Sequence, residues 1–101
     1  MMDKKMLKQA QQLQAKMLRV QEELGAATVE ATSGGGAVTV VMTGHQEVRS
    51  IKISPEVVDP EDVELLEDMI LAALNEATQK SREMADKKMG ALTGGLKIPG
   101  M

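Results

Sequence analysis

The stretch that decides the fold is residues 27–55, ATVEATSGGGAVTVVMTGHQEVRSIKISP. It contains three runs in which apolar and mostly polar side chains alternate, the period of a β-strand with one buried face. Ser33-Gly34-Gly35-Gly36 separates the first run from the second, and Gly44-His45-Gln46 separates the second from the third. Short glycine-containing segments between such runs are typical of hairpin turns. The stretch therefore predicts a three-stranded antiparallel meander, in which Ile51 and Ile53 share a face.

The segment before the meander predicts a long helix. From Met2 to about Leu24 there is no Gly or Pro, and most residues are strong helix formers. Gly25 is a suitable stop for this helix. Apolar residues recur at alternating spacings of four and three, the period of a coiled-coil-like seam. The predicted seam consists of Met6, Ala10, Leu13, Met17, Val20 and Leu24.

The segment after the meander predicts a second long helix. Pro55 ends the sheet, Asp59 suits the N-cap of the helix, and Pro60 suits its first position. The helix is expected to run to about Met89, with Gly90 as its cap, followed by a flexible glycine-rich tail over residues 90–101. Its apolar stripe includes Leu66, Ile70, Ala73 and Ala77, which we assign, with the first seam, to a dimer interface.

The element order α-β-β-β-α places the chain in the α+β class. The 101 residues contain no Phe, Trp or Tyr, so the core must be built from aliphatic and Met side chains. A chain this short buries only about 60–70% of its unfolded surface. Both helices are longer than the strands, so each is expected to project from the sheet with an uncovered apolar seam. A homodimer is the simplest arrangement that covers these seams.

Several classes of function are not expected. The chain has no Cys and one His, so thiol catalysis, disulfides and multi-His metal sites are ruled out. His45 has no nucleophile nearby in sequence, and Ser33-Gly34-Gly35-Gly36 lacks the Lys and helix of a phosphate-binding loop. No apolar run approaches the ~20 residues of a membrane span. We therefore expect a soluble cytoplasmic protein that is not an enzyme and uses no metal, cofactor, membrane or small-molecule substrate.

Charge is distributed unevenly along the chain. The net charge is −3, but residues 1–20 carry +4, residues 78–101 carry +3 and residues 21–77 carry −10. On the first helix the basic residues fall on one face away from the seam, with an amide donor between them. Such a face suits the phosphates of double-stranded DNA; the alternative is a solvated helix surface. The candidate DNA-binding residues are Lys4, Lys5, Lys8, Gln12, Lys16, Arg19, Lys80, Arg82, Lys87 and Lys88.

The composition favours contact with the DNA backbone over reading of bases. Arg, the usual reader of guanine, occurs on the basic helical segments only as Arg19 and Arg82. Without aromatic side chains the chain has no platform for base stacking, which argues against single-stranded DNA and RNA. Lysines near the end of the second helix also complement the helix dipole, so part of that patch has a purely structural explanation.

The sequence resembles the YbaB/EbfC family of small bacterial nucleoid-associated proteins over nearly its whole length. The resemblance implies one domain over residues 1–89, a homodimer whose helices project from a shared β body like tweezers, and binding to double-stranded DNA. It also implies a place in the nucleoid, with a role in its organisation or in gene regulation. The matching motifs are MLKQAQQLQ (6–14), GGGAVTV (34–40), GHQEV (44–48), IKISPEVVDPED (51–62), LLEDMI (65–70) and AALN (72–75).

A second function from a different class stays open. The helical arms and their Met-containing seams could grip another protein, with the basic ends serving only solubility. Charge reversal at Lys5, Lys8, Lys16 and Arg19 separates the two hypotheses, because only DNA binding requires those charges.

Overall fold

A computed structural model of the chain describes residues 3–92. The elements are α1 (Lys4–Ala26), β1 (Thr28–Ser33), β2 (Val38–Thr43), β3 (Val48–Ile53), one 3₁₀ turn (Pro55–Val57) and α2 (Val63–Leu92). The predicted α-β-β-β-α order and the α+β class are confirmed. The molecule is elongated, with principal extents of 69 × 24 × 18 Å.

The three strands form one antiparallel sheet in the order β1-β2-β3. Val38 pairs with Ile53 and Val40 with Ile51, and a bulge beyond that point pairs Met42 with Val48. Directly paired residues point to the same face of a sheet. One face therefore carries apolar side chains from all three strands, and the prediction that Ile51 and Ile53 share a face is confirmed.

The turn between β1 and β2 has a backbone conformation that requires glycine. Gly34, Gly35 and Gly36 have φ of 62°, 69° and 94°, in the left-handed region that side chains with a Cβ disfavour. A Cβ on Gly34 would also collide with Sδ of Met69. The glycine run thus both reverses the chain and lets α2 approach the turn.

Helix α2 packs on the apolar face through its smallest side chains. Ala73 and Ala77 are fully buried against a core that includes Val38 and Val40. Ser81 is also buried, and its hydroxyl donates to the carbonyl oxygen of Thr43 at 2.8 Å. Small residues let the helix backbone lie close to the sheet, and the hydrogen bond satisfies a polar group that burial would otherwise penalise.

The predicted start of the second helix is wrong by three residues. Asp59 does not cap a helix. Its carbonyl oxygen accepts a hydrogen bond from the amide of Asp62 at 3.0 Å. Its carboxylate accepts one from the amide of Glu61 at 2.9 Å. Asp followed by Pro is also a common opening of a β-turn, and here the turn prevails. The helix begins at Val63, with the Asp62 carboxylate 3.4 Å from the amide nitrogen of Leu65.

The predicted end of α2 is also wrong, because the helix continues through Gly90 to Leu92, the last residue that the structure describes. A single Gly costs a helix only about 1 kcal/mol relative to Ala, so it need not stop one. Residues 90–92 therefore belong to α2, and the rest of the predicted tail, residues 93–101, lies outside the described residues.

The two helices differ in how far they project. Residues 66–81 of α2 lie over the sheet, and only its last turns pass beyond it to run beside the end of α1. In α1, by contrast, every residue from Lys4 to Arg19 is exposed. Both helices therefore extend past the sheet, as expected, α1 over most of its length and α2 only in its last turns. The expectation of an uncovered apolar seam is wrong for α2, whose apolar stripe covers the core.

Candidate nucleic-acid interface

The part of α1 between Lys4 and Arg19 forms an arm that stands clear of the sheet. Its first turn is capped by Asp3, whose Oδ1 accepts from the amide of Met6 at 2.8 Å. Val20 is half-buried and Leu24 is 2% exposed, so the helix meets the body of the protein only near its C-terminal end. At 1.5 Å per residue the exposed arm is about 25 Å long.

The predicted basic residues of α1 share one face of this arm. At 100° per residue they lie within about 120° of the helix circumference, and all are exposed. In residues 3–92, none of the five cations has an ion pair or a side-chain hydrogen bond. The arm therefore presents unneutralised positive charge along one line. We call this set the arm face: Lys4, Lys5, Lys8, Gln12, Lys16 and Arg19.

The predicted basic patch on α2 is organised differently. Lys80 donates to the carbonyl oxygen of Glu30 at 2.9 Å and lies 3.4 Å from the Glu76 carboxylate. Lys88 lies 3.4 Å from the carboxylate of Glu23 on α1. Two of the four cations, Lys80 and Lys88, thus interact with groups of their own subunit. These interactions are a sufficient reason for a lysine at each position, without a ligand.

Arg82 and Lys87 are the other two cations of that patch. Both are exposed, and their side chains have no ion pair within the described part of the chain. Two isolated charges make a weaker positive surface than the five of the arm. The structure therefore separates one strong basic face on α1 from a weaker pair on α2.

The residues predicted to form the dimer interface fall into two groups. Ala73, Ala77 and Leu24 are at most 2% exposed within the single subunit, and Leu66 and Ile70 pack partly on the core. The fully buried three offer no surface to a second copy, because the sheet and the β2–β3 turn already cover them. The exposed members lie on the arm: Met6, Ala10, Leu13 and Met17, with Val20 half-buried.

Sequence reasoning missed an apolar surface on β3. Val48, Ile51 and Ile53 point to the same face as the core but are 46%, 43% and 36% exposed, because α2 covers β1 and β2 instead. We call these three residues the β3 patch. Strand alternation identified the face but could not tell which strands the helix would cover.

Residues 3–92 contain neither a candidate metal site nor a candidate membrane-spanning helix. That range holds no group of three or more His, Asp and Glu side chains arranged to bind a metal. Within the same range, no helix combines the length and apolar character that crossing a membrane requires.

Comparison with known proteins gives consistent matches over the length of the chain. The model of the YbaB/EbfC DNA-binding family matches residues 1–96. A protein of Pelotomaculum thermopropionicum named nucleoid-associated protein is 62% identical over 97 residues, covering 96% of this chain and 92% of its own. One of the same name from Chloroflexus aurantiacus is 56% identical, covering 96% and 97%.

The fold also matches a solved structure. The crystal structure of an uncharacterized protein from Helicobacter pylori superposes with a TM-score of 0.79, covering 93% of this chain and 100% of the other. The two sequences are 22% identical, so this similarity concerns the fold alone.

Proposed function

This chain belongs to the YbaB/EbfC DNA-binding family, and on that premise we propose that it is a nucleoid-associated protein that binds double-stranded DNA with the arm face of α1. The observation that carries the proposal is a set of five exposed cations along one helix face that have no acidic partner within residues 3–92. The proposed place of action is the nucleoid in the cytoplasm, in nucleoid organisation or gene regulation, and no catalytic step is part of it.

Phosphate contact is the mechanism that this face supports best. Duplex DNA carries one negative charge per about 1.7 Å of axis, so an arm about 25 Å long spans many phosphates. Four of the five cations are lysines, which act as flexible point charges, and Gln12 adds an amide donor between them. Arg19 alone has the fork geometry that suits a guanine edge. We therefore expect affinity for any duplex, with weak sequence preference.

We further propose that two subunits associate through the β3 patch. Val48, Ile51 and Ile53 lie on one face of β3 and are each between 36% and 46% exposed, and adjacent exposed aliphatic side chains commonly mark an interface. A two-fold contact buries the same patch of both subunits at once. Dimerisation doubles the number of basic arms, which raises affinity for a long polyanion without any new kind of contact.

A second candidate function is a protein-interaction module that does not bind DNA. It is favoured by the apolar side chains exposed along the arm, of which Leu13, Met17 and Leu18 are 45%, 41% and 66% exposed. An amphipathic helix with such a face can pack into a groove of another protein. Under this alternative the cations of the arm face contribute only solubility.

Charge reversal distinguishes the two candidates. We expect Lys8→Glu to weaken binding to a random-sequence duplex, and the combined K5E, K8E and K16E variant to abolish it at 150 mM salt, because attraction becomes repulsion. Lys52→Glu is the matched control: Lys52 is exposed and pairs with Thr39, on the sheet face away from α2. It makes the same change in net charge outside the arm.

The measurement is fluorescence anisotropy of labelled duplex, with circular dichroism to verify folding and sedimentation to give the mass. Equal losses in K8E and K52E would refute the assignment to the arm face. Undiminished affinity in the folded triple variant would favour the protein-interaction module.

A further inference from the structure

The turn between β2 and β3 holds the C-terminal end of α1. The amide of Gly44 donates to the carbonyl oxygens of Leu24 at 2.8 Å and Ala27 at 3.1 Å. Nε2 of His45 lies 2.8 Å from the carbonyl oxygen of Gln21, which can only accept, so the ring nitrogen donates. The last four carbonyls of a helix lack amide partners within it and carry partial negative charge. Leu24 has one of these carbonyls in α1, and Gly44 supplies its donor, whereas Gln21 lies before the last four and receives from His45 a donor from outside the helix.

Arg49, at the bulge in β3, adds a further donor to the same helix end. Its Nη2 donates to the carbonyl oxygen of Gly25 at 3.2 Å. Three residues of one hairpin, Gly44, His45 and Arg49, therefore bind the last turns of α1. We call them the root clamp.

The contact between the root clamp and α1 is close. A Cβ on Gly44 would lie 2.7 Å from both the carbonyl oxygen and Cδ2 of Leu24, and one on Gly25 would lie 3.3 Å from Cδ2 of His45. The side chain of Leu24 is 2% exposed beneath the turn. Such packing fixes the position of the helix end beneath the turn.

We propose that His45, assisted by Arg49, is a positioning residue that sets the direction of the α1 arm and so acts on DNA binding without touching DNA. The second half of this inference rests on the proposed function; the first half does not. Beyond the root clamp, the described ion pair that ties α1 to the body is Glu23 with Lys88, and exposed pairs of this kind are weak. Ala91 and Leu92 at the end of α2 also line a cleft with Lys16 and Val20, and residues 3–19 of the arm are exposed.

The length of the arm amplifies any change at its root. Lys5 is nineteen residues from Leu24, which is about 28 Å along a helix. A tilt of about 20° at the root would move the tip by about 10 Å, close to the ~12 Å width of the DNA major groove. A loosened root therefore moves the lysines at the tip away from the phosphates they would meet together.

Two variants of His45 isolate the hydrogen bond. His45→Ala removes the donor, whereas His45→Gln keeps an amide donor at a similar distance from the backbone. Neither side chain ionises, so the two variants carry the same charge. Because the chain has no Cys, spin labels can be placed at Gln11→Cys on the arm and Thr32→Cys on the sheet. Pulsed electron paramagnetic resonance then measures the distance between the two labels. Mixing with excess unlabelled protein ensures that the measured distances are those within one subunit.

We expect H45A to shift or broaden the distance distribution and H45Q to preserve that of the unmodified chain. The duplex Kd is expected to rise about three- to tenfold in H45A, the equivalent of one hydrogen bond, and to recover in H45Q. An unchanged distribution in H45A, or a change of equal size in H45Q, overturns the positioning role.

The direction of the arm and its effect on DNA binding are tested separately. A changed distance with unchanged DNA affinity overturns the link to binding but leaves the arm's direction under the control of the root clamp. If the unmodified chain does not bind duplex, the proposed function fails, and the distances alone decide the positioning role. Should H45A not fold, Arg49→Gln is measured in its place, and an unchanged distribution there overturns the inference.

Discussion

Neutralising the arm face should change the salt dependence of DNA binding by an amount that the structure sets. Each arm carries five cations that have no acidic partner in the described part of the chain, so the proposed dimer carries ten. If all of them neutralise phosphates, the slope of log K against log[salt] is about −9, since each contact contributes about −0.9. Affinity would then fall by about 10⁵-fold between 50 and 200 mM salt.

Substitution by Gln removes these contacts in known numbers. Lys8→Gln removes one contact from each arm, which should reduce the slope by about 1.8. The combined K5Q, K8Q, K16Q and R19Q variant keeps only Lys4 on the arm face, and its slope should fall to about −2. Gln rather than Glu is used so that the lost contacts, and not added repulsion, determine the result.

The assay is anisotropy of a labelled duplex of random sequence at several salt concentrations. Lys52→Gln is the matched control, since Lys52 is exposed on the sheet face away from α2, and we expect K52Q to leave the slope unchanged. A slope in the combined variant equal to that of the unmodified chain, or a change in K52Q as large as that in K8Q, would refute the reasoning that the cations of the arm face make the contacts.

Three further predictions concern stability and assembly. Gly44→Ala should lower the free energy of unfolding by about 1–3 kcal/mol, because its Cβ would lie 2.7 Å from two atoms of Leu24; urea unfolding measures this. Gly90→Ala should raise the same quantity by up to about 1 kcal/mol, because Gly90 lies inside α2 and a Cβ there would have no neighbour within 4 Å among the described residues. Ile51→Lys should shift sedimentation toward the monomer while Ser50→Lys, on the opposite sheet face, does not; equal behaviour would argue against the β3 patch as the dimer interface.

Local pattern was sufficient for most of the secondary structure. The alternation around Val38 and Val40 located β2, and the three glycines after Ser33 located its turn, because period and positive φ are properties of neighbouring residues. The predicted start of α2 was wrong because it, too, was based only on neighbouring residues. Asp59 and Pro60 suit a helix start and a β-turn equally well, and nothing local decides between them.

Family membership could also be predicted from the sequence. The motifs that resembled the YbaB/EbfC family lie within the 1–96 range that the family model matches, so that prediction is confirmed. The individual DNA-binding and dimerisation residues stay predictions. Of these, the structure gives Lys80 and Lys88 partners within the subunit and buries Ala73 and Ala77 under the sheet.

By itself, the sequence determined the order of elements, the one-sided sheet and the basic face of α1, since each depends on residues within a few positions of one another. Only the tertiary structure decided which strands α2 covers, which lysines form hydrogen bonds or ion pairs within the subunit, and how the β2–β3 turn binds the C-terminal end of α1. Those outcomes join residues far apart in the chain, such as Lys80 with Glu30 and His45 with Gln21. Their distances are set by the packing of whole elements, which no periodicity along the chain encodes.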